Sequence, residues 1–595
     1  MKFTFEHALY LIAILLALAV RFFYLGEYSL QENEAQSALN ALNLLQADQS
    51  VFSLEPENPQ PAYLTLTWFA FEILGGQTAI ARLWPALAGA MLILVPLLFK
   101  SVLGRPGALV LAFILALSPG LIVVSRQADG RMMALAFTLF AVGLAWRMKI
   151  DWAGVFLGLA LLSGPTVIPG LLGAVLALVM GELSFKVRQA GNLEDEINGE
   201  SRPAFPISFL RGALLPAGLT LFLVATMFFL YPQGLSNWVA ALPAYFRGWL
   251  EPSGVPALRL VEALLVYQPL VVIFGLAGAL RGLRRPDPLS RGLVTWLLIS
   301  LVLSLAYPAR QVSDLIWSLI PLMTLAALEI SQFLVFDRGD ERIPAGMAAL
   351  VLLMMTTFWF NLLGLGPFSL ANQEVVLRTV VMLGILLLVA LSTVLIGMGW
   401  SWFNAGRGLV WGLCLALGIY GLSNVGESLQ RPFAQNLNLW HFMPASGDTD
   451  LFLQTIADLS AWNTGRDDGL EIQVAVDSAS LQWLVRDRPD VTFIPASQVA
   501  SIRGTPPLLV TRQSQAELNL AADYRGQDFS WWVYPDWSGS LPPNLANWIA
   551  FRRTPQRQEQ IILWARNDLF LGQSSLGSGD DQTSPQIISP EEIGP

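Results

Sequence analysis

The chain has a single cysteine, Cys414, set inside an apolar run, so neither a disulfide framework nor a cysteine metal cluster can form. Histidine is nearly as scarce. His7 and His441 are far apart in sequence, which argues against a structural zinc site. Charge is thin as well: 13% of the 595 residues are charged, against about 25% in soluble domains, which excludes a soluble multidomain enzyme. The net charge is -9 and part of the acid lies in the tail (Asp580, Asp581, Glu591, Glu592), so there is no basic field to hold nucleic acid. What the chain has in excess is apolar surface, with 54% hydrophobic residues and a mean hydropathy of +0.54. A polytopic membrane protein follows.

A helix needs about 20 apolar residues to cross a hydrocarbon core of about 30 Å. Runs of that order cover 7–25, 80–99, 107–124, 131–147, 152–163, 165–181, 209–231, 264–280, 292–307, 314–335, 344–363, 377–400 and 408–423. They predict an all-α membrane domain over 1–423 with roughly thirteen transmembrane helices. The runs 152–163 and 165–181 could be one unit broken around Ser163-Gly164-Pro165. No A-x-A cleavage pattern follows the first run, which reads as a retained span. A cytoplasmic N terminus places the basic short loops inside: Lys100 with Arg105, Arg147 with Lys149, Lys186 with Arg188, Arg338 with Arg342, and Arg281 to Arg291. The odd span count then puts everything after 424 outside. The expected location is the plasma membrane.

Three segments differ from the spans. In the first outer loop, 26–79, Ser29 to Gln46 reads as an amphipathic helix. Pro61 to Leu74 in the same loop is apolar but short, as expected of a helix lying along or just inside the membrane surface. The second large outer loop, 232–262, carries Trp238, Tyr245, Phe246 and Trp249 and suits an interfacial helix. Residues 424–571 have soluble composition. Strand-like runs (Glu471–Val476, Val491–Ile494, Leu508–Thr511) alternate there with a helix-like stretch at Ser478–Arg486, predicting an extracytoplasmic α/β domain. Within it, the Trp531 to Trp537 stretch is expected in a core or interface rather than stacked on sugar rings. The Ser-, Gly-, Asp- and Pro-rich 572–595 predicts disorder.

Charged residues beside lipid are costly and therefore informative. Ser29 and Glu32 fit a capping box, which accounts for Glu32 structurally. Glu34 has no such account, although it could belong to a solvated helix face. In the tight turn Ser125-Arg126-Gln127-Ala128-Asp129-Gly130-Arg131 the charges could pair with one another, or a guanidinium could grip a phosphate bidentately. Arg310, with Asp314, and Arg82 each open a run on the same face; interfacial anchoring is the simpler explanation for both.

The order of these pieces resembles a known group. An acidic outer-loop helix precedes a helix that opens Pro61-x-Tyr63 and ends in Leu74-Gly75. Then come Ala81-Arg82-Leu-x-Pro-Ala-Leu-x-Gly89, Leu103-Gly104-Arg105, Leu117-Ser-Pro-Gly120 and Ser125-Arg126-x-Ala128. This succession is similar to the membrane glycosyltransferases of the GT-C type, nearest the dolichyl-phosphate-mannose protein mannosyltransferase and aminoarabinose transferase group. In the tail, Gln482-Trp-Leu-Val-Arg-Asp487 resembles relatives with an outer C-terminal domain.

The resemblance implies transfer of one sugar, with inversion, from a polyprenyl-phosphate donor to an acceptor hydroxyl on a glycan, lipid or protein of the cell envelope. It implies Glu34 or Glu32 as general base; Arg126, Arg131 and Arg310 on the donor phosphate; and Asn33, Tyr63, Arg82 and Asp129 along the donor and acceptor groove. Membrane lipids are the remaining partner. No cofactor is required, although outer acids could hold a divalent cation. Three positions depart from the group's pattern: Asn33-Glu34 stands for Asp-Glu, Pro59-Gln60-Pro61 for His-Pro-Pro, and Asp129 for an arginine. Asn33 cannot act as a base, so a second function stays open: a non-catalytic relative that binds or helps translocate a lipid-linked sugar. A coupled transporter fits less well, because most spans lack ionisable residues at mid-depth.

Overall fold

The computed structural model describes residues 4–46, 60–176, 179, 207–284, 287–334, 341–365, 373–429, 438–440, 445–495, 504–515, 522–537 and 541–570. Residues 572–595, expected to be disordered, lie outside that set. The chain divides into two compact units, Met1–Ala445 with Val533–Arg557, and Ser446–Trp532 with Gln558–Pro595. The sequence placed one boundary near 424. In the structure the last long helix continues to Leu429, and 533–557 returns to the first unit.

The first unit is helical, and each predicted apolar run coincides with a helix or helix pair. In chain order these are α1 (Phe5–Phe22), α2 (Glu32–Gln46), α3 (Pro61–Leu74), α4 (Leu83–Leu98), α5 (Lys100–Leu117), α6 (Pro119–Ser125), α7 (Arg131–Trp146), α8 (Ile150–Leu162) and α9 (Val167–Leu176). There follow α10 (Ile207–Ala225), α11 (Gln233–Arg247), α12 (Ala257–Tyr267), α13 (Pro269–Arg284), α14 (Pro288–Ala306), α15 (Ile316–Ser331), α16 (Arg342–Leu365), α17 (Gln373–Gly399) and α18 (Trp402–Leu429). Among the described residues seven helices are long and apolar enough to cross a membrane. The pair α12 and α13, bent by 97°, makes an eighth candidate, and five further apolar helices are shorter. The structure thus supports a multi-pass membrane domain without fixing thirteen full spans.

Local signals explain many of the boundaries. Proline occupies the first turn of α3, α6 and α14, where its missing N–H costs nothing. Ser118 caps α6, and the Asp287 carboxylate accepts the Ser290 N–H at the start of α14. The break suspected at Ser163-Gly164-Pro165 is real: Gly164 has φ +119°, and it separates α8 from α9. Close helix contacts use glycine. A Cβ at Gly154 or Gly158 of α8 would fall 2.4 or 2.7 Å from the backbone oxygens of Ala213 and Ala217 in α10. Gly408 and Gly412 of α18 admit Met347 and Val351 of α16 in the same way. α15 is buried along nearly all its length and forms the centre of the unit.

The second unit carries a six-stranded sheet in the order β1-β5-β6-β4-β2-β3. The strands are β1 (Ala445–Ser446), β2 (Ile472–Val474), β3 (Val491–Phe493), β4 (Leu508–Arg512), β5 (Tyr524–Pro535) and β6 (Gln556–Arg566). β2 runs parallel to β3 and β4, with Ile472 opposite Val491 and Leu508, whereas β4 pairs antiparallel with β6. A helix capped by Ser478, α20 (Ala479–Val485), follows α19 (Thr449–Thr464) and makes the crossover. Trp531 lies in the core against Phe452 and donates its indole N–H to Ser480 Oγ at 3.2 Å, as the core reading of that stretch expects.

Candidate functional site

Of the charged residues singled out in the sequence, Glu34, Arg82, Arg126, Asp129 and Arg131 gather where α1, α2 and the α6–α7 turn meet. α2 begins at Glu32, so the cap is not the Ser29–Glu32 box expected from the sequence. One half of such a box sits two residues later. Gln31 precedes the helix, and Glu34, at its third position, accepts the Gln31 N–H on Oε2 at 3.1 Å. Glu34 is buried and accepts three further hydrogen bonds: Ala128 N–H at 2.8 Å, Arg82 Nε at 2.9 Å and Arg82 Nη2 at 2.8 Å. Burial alone would raise its carboxyl, but Arg82 and the two backbone donors outweigh it and hold Glu34 below the ordinary carboxylate range. Glu32 is half-buried and Asn33 is exposed, so three consecutive residues occupy three environments.

Arg82 reaches beyond Glu34. Its guanidinium also donates to the carbonyls of Leu25, Tyr28 and Ser29 at 2.9–3.2 Å, closing the turn after α1. It is an internal clamp, not the interfacial anchor expected from the sequence. Arg126 does the same for the helix end itself, donating to the carbonyls of Val20, Arg21, Phe23 and Tyr24 at 2.7–3.2 Å. The sequence reading assigned Arg126 to a donor phosphate. In the structure its hydrogen bonds cap α1, whose last carbonyls have no intrahelical partner. Burial, with Arg82 nearby, pulls its pKa down to about 10.

The α6–α7 turn is held from several sides. Gly130 donates its N–H to Gln60 Oε1 at 2.6 Å, and a Cβ there would lie 2.2 Å from the Ser163 carbonyl oxygen. Tyr63 is buried, donates to the Ala81 carbonyl at 2.9 Å, and has its phenol raised by burial. Asp129 Oδ1 accepts the Arg131 N–H at 2.9 Å, and Arg131 Nε lies 3.4 Å from Oδ2. Arg131 also donates to Ser313 Oγ, in the 3-10 turn Val312–Leu315 that opens α15. Burial raises the Asp129 carboxyl; Arg131 opposes this, and the negative charges of Glu34 and Asp314 add to it. Arg310, two residues before that turn, donates to the Val255 carbonyl at 2.9 Å.

The structure therefore joins Glu34, Arg82, Tyr63, Asp129 and Arg131 in one electrostatic cluster. Sequence reasoning missed Gln60 and Glu262. Glu262, on α12, is buried, and neither carboxylate oxygen has a hydrogen-bond partner among the described residues. Its place at the third position after Arg259 was the available signal. Among the described residues no group of three or more His, Cys, Asp or Glu could hold a metal ion.

No family model and no curated protein matches the chain. Solved structures do match. ArnT from Cupriavidus metallidurans bound to undecaprenyl phosphate superposes with a TM-score of 0.50 at 13% identity, covering 93% of this chain and 97% of that one. The apo state of the same ArnT gives 0.50 at 14% identity, covering 94% and 98%. The chain has a GT-C fold. At these identities the likeness concerns the backbone. It agrees with the resemblance read from the motifs between α1 and the α6–α7 turn.

Proposed function

We propose that the protein transfers a sugar from a polyprenyl-phosphate donor to an acceptor hydroxyl at the outer face of the plasma membrane, with inversion. The observation that carries this reading is the GT-C fold shared over nearly the whole chain with an ArnT bound to undecaprenyl phosphate. Supporting it is the buried charged cluster at the end of α1, on the side the basic loops assign to the exterior. Transfer needs a carboxylate to take the acceptor's proton and cations to stabilise the departing phosphate. Glu34 is poorly suited as base, because four donors already occupy its oxygens and stabilise its charge. Asp129 suits better: its carboxyl is raised, yet Arg131 beside it favours the ionised form. Arg131 and Arg310, each with N–H groups left over, are assigned to the donor phosphate. Glu34 and Arg82 position the turn that carries Asp129, and Glu32 remains an alternative base.

The test is donor consumption. Purified protein in liposomes receives labelled polyprenyl-phosphate sugars with cell-envelope extract as acceptor. Asp129→Asn is expected to retain donor and lose turnover by about 100-fold or more, the scale of a general-base contribution. Turnover surviving in Asp129→Asn and lost only in Glu32→Gln moves the base to α2. Donor that binds wild type and is never consumed favours the non-catalytic lipid-sugar binder, a reading that the substitution at Asn33 supports.

A further inference from the structure

α18 runs from Trp402 to Leu429, and its far end meets the candidate site, where Tyr28 Oη donates to the Leu429 carbonyl at 2.7 Å. Arg407 is 22 residues before Leu429, about 33 Å away along the helix axis. It therefore sits near the opposite membrane face, where α13 and α15 end and α14 and α16 begin.

Arg407 is 2% exposed, and its Nε and Nη2 have no hydrogen-bond partner among the described residues. Its neighbours are aromatic rings. The guanidinium carbon lies 5.7 Å from the Phe403 ring and 5.0 Å from Trp411, one turn away on either side. Trp411 is fixed by donating its indole N–H to the Phe333 carbonyl at 3.0 Å, and Phe333 stacks on Phe403. Arg281 flanks the far side of Phe333 at 5.9 Å but already has a partner, the Glu329 carboxylate. Arg407 has no carboxylate in any described ion pair.

Leaving a guanidinium buried without an acceptor is strongly unfavourable. Ring contacts offset only part of that cost. The two unpartnered N–H groups, Nε and Nη2, form one edge of the fork, the edge that matches two oxygens of a phosphate. Two features indicate how a phosphate would reach it. Phe403, which covers Arg407, is 54% exposed, so its ring can swing towards lipid. Around it Met398, Trp400 and Trp402 are exposed apolar surface suited to acyl chains.

We propose that Arg407, framed by Phe403 and Trp411, is a binding site for a phosphate group presented at the headgroup level of this membrane face, separate from the candidate catalytic cluster. A phospholipid headgroup and a soluble phosphate share this chemistry. Its position near the start of a lipid-facing helix, about 7.5 Å along the axis, places it at the depth of headgroups.

The test uses the full chain. Protein in phosphatidylcholine bilayers with and without phosphatidylglycerol is delipidated stepwise, and retained lipid is counted by native mass spectrometry. In parallel, thermal stability in neutral detergent is followed while inorganic phosphate is added. Wild type should retain phosphatidylglycerol selectively, and Arg407→Lys, which keeps the charge and loses the fork, should weaken retention by about tenfold. Arg147→Gln, an exposed arginine with both described contacts to carbonyls of α4, should leave retention unchanged. A phosphate-dependent rise in Tm without lipid selectivity, lost in Arg407→Lys, identifies soluble phosphate as the source. Phe403→Leu keeps the guanidinium and removes the cover; it should retain the ligand even if an Arg407 variant fails to fold. The proposal is overturned if wild type shows neither effect, if Arg407→Lys binds as wild type does, or if Phe403→Leu abolishes binding while remaining folded.

Discussion

Glu34 and Asp129 are both carboxylates of one cluster, yet their surroundings push them in opposite directions. Glu34 is lowered, so its contribution to stability is fully present above the ordinary Glu value and is lost as pH falls through its lower folded value. Glu34→Gln breaks a buried ion pair and should destabilise the protein by about 3–5 kcal/mol at neutral pH. The gap in Tm between wild type and variant should stay constant above about pH 5 and shrink in more acid solution. A gap that persists unchanged at low pH would show that the Glu34 charge does not support the fold. Asp129 is raised, so as a base it must lose its proton at a higher pH than an ordinary aspartate. The acid limb of kcat/KM should therefore lie above the ordinary Asp value of about 4. It should vanish with the activity in Asp129→Asn, while the variant's Tm stays close to wild type. Neither direction was readable from Ser29 to Glu34 or from Ser125 to Arg131 alone. Arg82 is 48 residues from Glu34, and only the fold brings them to 2.8 Å.

Helix α1 is capped by Arg126, the residue that follows α6, and itself supplies the cap of α5. Arg126 donates to the last carbonyls of α1, and Arg21 of α1 donates to the Leu115 and Ala116 carbonyls at the end of α5, both at 3.1 Å. In a membrane such carbonyls have no water to turn to, so the paired arginines are part of the folding code. Arg126→Lys supplies a point charge instead of a planar fork and should lower stability by about 1–3 kcal/mol, read as a drop in Tm with donor binding per folded molecule unchanged. Reduced donor binding at unchanged Tm would return Arg126 to the donor phosphate. A second such device lies at α21 (Leu545–Phe551). Arg552, in the left-handed region with φ 57°, donates to Glu427 at 3.0 Å and to Asn424 at 2.7 Å, both on α18. Its ring neighbours are Tyr267 and Trp548. Nothing in the composition of 533–557 marks it as returning to the helical unit. Its boundaries are local, but its packing partner is not.

The membrane arrangement can be tested directly because Cys414 is the only cysteine. In a Cys414→Ala background, a cysteine at exposed Asp458 of the sheet unit should react with an impermeant maleimide added to intact cells. A cysteine at exposed Lys149, between α7 and α8, should react only after the membrane is opened. The reverse pattern would invert the chain and move the candidate site to the cytoplasmic face, removing the basis for outer-face transfer. The positions of the helices, by contrast, are legible in the amino-acid sequence alone. Every apolar run became a helix, Pro61–Leu74 appeared with its predicted ends, and the three tail strands formed within a residue or two of expectation. These features depend on the length of apolar runs, on proline and glycine, and on periodicity, all of which act within a few residues. What the folded molecule alone decided is where each charge goes. Glu34 became a buried clamp and Arg126 a helix cap, while Glu262 and Arg407 are a buried acid and a buried cation whose carboxylate oxygens and whose Nε and Nη2, respectively, have no hydrogen-bond partner among the described residues. For Glu34, Arg126 and Arg552 the outcome depends on partners 48 to 125 residues away in sequence, and in a low-dielectric interior those partners determine what each charge does.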